Sequence, residues 1–244
     1  MTASMPPSGG ASVSNLLATA SQLFRASLLK CLPMGMVAML CAQSANIYWR
    51  ASGHVLSFTA NYDTNYNLLN IAGVAVELWL LGAMMLRQRA VVLRAPILPG
   101  AELRVAFRRM PAILGSSLLA GLSVIAGLLA LVLPGVFLMV CYLALLPVVM
   151  FDGLGPVAAV LRSVQLMRPL WWRALASCVI IMLLFVIGAL VVAAVIGVIA
   201  ELLSGNGAAL AAVETAITVA FSALFFVYLS ALMLVLHSAA SSSA

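Results

Sequence analysis

The feature that most constrains this chain is a set of six long apolar runs with almost no charge inside them. They fall at about 32–49, 68–86, 112–133, 135–151, 174–200 and 208–236. A hydrocarbon core about 30 Å thick is crossed by about 20 apolar residues in a helix. In lipid, every backbone N–H and C=O must be satisfied within the helix or around a closed barrel. The short alternating segments of a barrel are not seen here, so each run reads as a membrane-spanning helix. The last two runs exceed a simple crossing, which predicts tilt or ends projecting from the bilayer.

Composition excludes an ordinary soluble domain. Of the 244 residues, 65% are hydrophobic and 7% are charged. A soluble domain is typically about 25% charged, and with so few charges this chain could not cover a water-facing surface. Residues 13–237 therefore read as one six-span membrane domain. Met1 to Ser12, with Pro6, Pro7, Gly9 and Gly10, reads as a disordered tail, and 238–244 as a short second tail. A cleaved signal peptide is not expected, because the first 24 residues lack a basic start. Cys31, Cys41, Cys141 and Cys178 lie in apolar runs without a C-x-x-C pair and read as small buried hydrophobes.

The basic residues set an orientation. Arg25 and Lys30 precede the first span. Arg87, Arg89, Arg94, Arg104, Arg108 and Arg109 lie between spans two and three, and Arg162, Arg168 and Arg173 between spans four and five. Eleven of the twelve basic residues thus share one side, and only Arg50 falls on the other. The positive-inside rule then predicts that both termini are cytoplasmic, in a multi-pass protein of a bacterial inner membrane. The same placement removes the usual reason to read a net charge of +6 as nucleic-acid binding.

An amphipathic stretch precedes each odd-numbered span. Val13, Leu16, Leu17, Ala20, Leu23 and Phe24 form the first stripe. Leu103, Ala106, Phe107 and Met110 form the second, and Val157, Val160, Leu161, Val164 and Met167 the third. Each leads through a proline (Pro33, Pro111 or Pro169) into its span. The expected architecture is all-α: three hairpin-like repeats, each a surface helix followed by a span and a return span.

The centre of the chain carries the most distinctive residues. Leu133-Pro134-Gly135 is expected to turn span three tightly into span four. Leu146-Pro147-Val148-Val149 leads to Asp152-Gly153-Leu154-Gly155-Pro156, then Arg162-Ser163 and Trp171-Trp172-Arg173. This succession resembles the YciC-like bacterial inner-membrane family and the related membrane domain of some glycerophosphoryl diester phosphodiesterases. The resemblance covers about residues 100–200, with Asp152 where the family usually has glutamate. It implies an architecture and a compartment. It does not imply the phosphodiesterase's catalysis, since the residues at hand include no such domain.

Few residues could carry chemistry. Glu77 sits within span two, where an ionised side chain costs about 2.5–3.5 kcal/mol at a helix centre. It is expected to be neutral, paired or facing a polar cavity, with Asn70 about two helical turns away. Glu214 lies early in span six, within reach of the interface. Asp152 is expected to cap the helix beginning at Pro156. His54 and His237 fall on opposite sides of the membrane, and no phosphate loop or H-E-x-x-H occurs. We therefore expect no catalytic site, metal or cofactor. The expected partners are the bilayer and its anionic phospholipids, through Arg87, Arg89, Arg104, Arg108, Arg109, Arg162, Arg168 and Arg173, with membrane proteins as possible further partners. The corresponding function is a non-enzymatic scaffold or lipid-contacting factor in envelope or lipid homeostasis. The alternative is a small transporter or channel with Glu77 in its pathway.

Overall fold

The structure is a computed structural model that describes residues 12–52, 63–96, 100–202 and 207–242. His54 and the tail before Ser12 lie outside the described residues. All described elements are helical: α1 (Val13–Ala51), α2 (Thr64–Leu93), α3 (Ala101–Arg108), α4 (Met110–Ala130), α5 (Val132–Cys141), α6 (Leu145–Pro147), α7 (Pro156–Met167), α8 (Trp171–Leu202) and α9 (Gly207–Ser241). Six segments among the described residues are long and apolar enough to cross a membrane; each overlaps one of the six expected runs, and those at the first and fifth runs begin well before them.

Local chemistry explains several helix starts. The Ser12 hydroxyl accepts from Asn15 N–H to open α1, and Asp63 Oδ1 accepts from Tyr66 N–H at 2.8 Å to open α2. Pro111 and Pro156 occupy first turns, where a missing N–H costs nothing. α1 is different. Its 39 residues run unbroken through Pro33, a length of about 58 Å. The first amphipathic stretch is therefore no separate element but the opening turns of α1. Its stripe residues Leu16, Ala20 and Leu23 are sunk in protein, and Phe24 meets Tyr228 of α9 edge-on at 5.5 Å.

α1 packs most extensively on α2 and α9, antiparallel to both. Trp49 meets Tyr66 near one end of the α1–α2 pair, and Arg87 reaches the Lys30 carbonyl near the other. The fourth span fills the middle. Pro147 supplies no N–H, and the chain loosens around it into a 3-10 turn (Tyr142–Ala144) and a π turn (Val148–Asp152). The Ser163 hydroxyl of α7 donates to Cys141 O at 2.6 Å, just before that loosened stretch. Residues from Ala144 to Met150 are all buried, and so are most residues of the second half of α9. α9 continues through 238–241, so that stretch is helix rather than tail, with Ala239 and Ala240 buried.

The central hairpin forms differently from the expectation. A single extended residue, Leu131 (φ −165°, ψ 144°), joins α4 to α5. Pro134 and Gly135 lie inside α5, not in the turn. Gly135 is where the two helices touch: a Cβ there would fall 2.4 Å from Leu128 Cγ. The glycine serves the close approach, and the extended backbone of Leu131 makes the reversal.

Candidate functional site

The π turn carries Phe151, Asp152 and Gly153 to the basic end of the bundle, where three other elements converge on them. Gly153 has a left-handed backbone (φ +68°), a conformation that suits glycine. Its carbonyl accepts from Arg109 Nη1 at 3.1 Å, from the α3–α4 junction. A Cβ on Gly153 would lie 3.0 Å from Arg109 Nη2. From α2, the Arg89 guanidinium stands 4.5 Å over the Phe151 ring. From α9, His237 brings Nε2 to 3.8 Å from Asp152 Oδ1, and its ring lies 5.9 Å from Phe151. His237 is buried and its Nε2 has no hydrogen-bond partner among the described residues.

This arrangement corrects the role expected for Asp152. Gly155, not Asp152, is the N-cap of α7, without a side-chain capping bond. The Asp152 carboxylate turns instead toward His237, which packing brings from 85 residues further along the chain.

A second polar cluster joins α1, α2 and α3. Arg87 forms an ion pair with Glu102, which is only 6% exposed, and donates from Nη1 to Lys30 O at 2.6 Å. Trp79 donates its indole N–H to Leu103 O at 2.9 Å and meets Phe107 edge-on. α3 is thereby fastened along α2. No sequence motif marks Glu102 as a functional residue. The available signal was its position as the only acid among six arginines between residues 87 and 109.

The other expected contact residues separate by exposure. Arg104, Arg108, Arg162, Arg168 and Arg173 are exposed, and none has an ion pair among the described residues. Arg89 is exposed but committed to Phe151. Arg87 and Arg109 are tied inside the protein. The buried faces of the short helices also differ from the expected stripes. Ala159, Ser163, Leu166 and Met167 are buried on α7, while Val157 and Leu161 face outward beside Arg162. On α3, Glu102 and Ala106 are buried and Phe107 is 64% exposed.

The three candidate intramembrane polar residues do not form one site. Glu77 is half-buried and makes no hydrogen bond or ion pair among the described residues, and Asn70 is exposed. Trp79, which reaches α3, is only about 3 Å of helix rise from Glu77. Glu214 is on α9 and pairs with Arg50 of α1 at 3.1 Å. The four cysteines are free thiols. No cluster of metal-ligating side chains occurs among the described residues.

Together the six apolar helices define a multi-pass helical membrane protein. No protein-family model, curated protein or solved structure matches the chain.

Proposed function

We propose that this chain is a non-enzymatic protein of a bacterial inner membrane, with cytoplasmic termini, that contacts anionic phospholipids and serves envelope or lipid homeostasis. The observation that carries the reading is the set of five exposed arginines around one end of an apolar bundle. Exposed apolar residues flank them: Val105 and Phe107 beside Arg104 and Arg108, and Val157 and Leu161 beside Arg162. Arginines mixed with outward apolar side chains suit helices lying at the headgroup level. Each basic residue near an anionic leaflet contributes about 1 kcal/mol. The kinship with the YciC-like family belongs to this proposal. So does the threefold grouping: α3–α4–α5 and α7–α8–α9 share one layout, short helix, span and return span, while α1 fuses the first two parts.

The test is the double variant Arg104→Glu/Arg108→Glu. Removing two contacts is expected to lower retention of anionic lipid at least about 30-fold, with the protein still folded, as read by native mass spectrometry. Unchanged retention overturns the reading.

One observation supports transport as a second reading: a half-buried carboxylate, Glu77, without a partner among the described residues. Transport predicts that Glu77→Gln changes solute flux in proteoliposomes. Scaffolding predicts no flux to change.

A further inference from the structure

At the end of the bundle away from the basic segments, Arg50 of α1 holds Glu214 of α9, Nη1 to Oε1, at 3.1 Å. Both side chains remain partly open, 47% and 36% exposed, so an outside group can reach either charge. Beside the pair lies a polar hollow of about 120 Å³ walled by Gln43, Asn46, Thr215 and Thr218. Its wall is fixed: Asn46 Nδ2 donates to Gln43 Oε1 at 2.8 Å, and the Tyr66 hydroxyl donates to Asn46 Oδ1 at 3.3 Å.

The same Arg50 also lines an apolar groove of about 660 Å³ between α1 and α9. Ile47 and Thr215 are common to the hollow and the groove, so the two are continuous. Met36 and Leu40 form one wall, and Ala212, Ala216 and Val219 the other. The small alanine side chains leave the space open. Along α1 the groove runs from Met36 to Ala51, about 22 Å of helix rise. The acyl layer of one leaflet is about 15 Å deep, half the hydrocarbon core. A hollow with one positive and one negative charge thus opens onto an apolar channel of leaflet depth.

We propose that this is a binding site for a phospholipid with a phosphoethanolamine headgroup. The phosphate sits on Arg50, whose planar guanidinium suits two-point contact with phosphate oxygens. The ammonium sits on Glu214, and an acyl chain fills the α1–α9 groove. The charges select the headgroup. A phosphoglycerol lipid can place its phosphate on Arg50 but brings no cation for the Glu214 carboxylate. A choline headgroup has no N–H to donate to that carboxylate, whereas a primary ammonium has three. The site lies at the opposite end of the bundle from Arg104 and Arg108 and does not depend on their lipid contacts.

The test uses the purified full chain, exchanged against phosphatidylethanolamine, phosphatidylglycerol and phosphatidylcholine with identical acyl chains, and read as lipid adducts by native mass spectrometry. One phosphatidylethanolamine is expected to be retained about tenfold over phosphatidylcholine, the discrimination of one charge-assisted hydrogen bond, and phosphatidylglycerol, which also binds the basic face, should not displace it. Glu214→Gln should abolish the preference over phosphatidylcholine while binding persists. Ala216→Phe, at an exposed position, should displace phosphatidylethanolamine and phosphatidylcholine by filling the groove, with an unchanged melting temperature and with phosphatidylglycerol still held at the basic face. Equal retention of phosphatidylethanolamine and phosphatidylcholine by the native protein, or displacement of phosphatidylethanolamine by phosphatidylglycerol, overturns the proposal. So does a Glu214→Gln variant that keeps the native preference, or an Ala216→Phe variant that keeps its phosphatidylethanolamine adduct.

Discussion

α8 and α9 are nearly the same helix by composition and occupy opposite environments. They are 32 and 35 residues long, both strongly apolar and without a marked polar face. Yet only 6% of the residues in the most apolar stretch of α8 are buried in protein, against 56% in that of α9. The difference follows the kind of side chain. α8 presents Leu183, Leu184, Val186, Ile187, Leu190 and Val191 outward. α9 carries Ala223, Ser230, Ala231 and Ala240, all buried, which let neighbouring backbones approach. Between helices in lipid there is no hydrophobic drive, because lipid tails are as apolar as leucine. Close packing and hydrogen bonds decide which helix is enclosed. Gln88 of α2 illustrates this, fully buried and donating to Val227 O of α9 at 3.1 Å.

The contrast between enclosed and lipid-facing helices breaks hardest where an enclosed charge loses its partner. Arg87→Ala leaves Glu102 buried without its cation and is expected to destabilise the protein by about 3–5 kcal/mol. The paired change Arg87→Met/Glu102→Leu should recover most of that loss. Thermal unfolding in detergent micelles checks both, and equal melting temperatures for the two variants would remove Glu102 as the reason. A matched pair of enlargements comes next. Ala231→Leu on the enclosed α9 should cost about 1–3 kcal/mol by overpacking, while Ala194→Leu on exposed α8 should stay within about 0.5 kcal/mol. A large loss at Ala194 would show that α8 is covered by another protein surface rather than lipid. The smallest loss among the enclosed positions is expected at Gln88→Leu, about 1 kcal/mol for one buried hydrogen bond. It should also speed amide exchange in α9 near Val227 more than anywhere in α8.

The candidate site was only partly legible in the sequence. Gly153 and Asp152 stand out by residue type, but the local spacing of Asp152 and Pro156 favours a capping role that the structure gives to Gly155. His237 sits 85 positions away, and no local pattern joins it to Asp152. Arg87 and Arg109 looked like the other arginines of their segment. Their carboxylate and carbonyl partners became visible only when α2, α3 and the π turn were packed together. Pro134-Gly135 reads as a turn by residue type. The structure uses that glycine for a helix contact because Leu131 alone, in extended backbone, reverses the chain.

The sequence by itself determined the number of spans and the grouping of basic residues along the chain. Each is local: a helix in lipid satisfies its own backbone, so apolar length is enough to define it. Only the tertiary structure decided which spans are enclosed, which arginines are free and that α1 runs unbroken through Pro33. The hydrocarbon core and the protein interior are similarly apolar, so hydropathy does not distinguish a lipid-facing leucine from a buried one. A charge pair such as Arg87 with Glu102 or Arg50 with Glu214 is defined by its partner, which only the packing of the helices supplies.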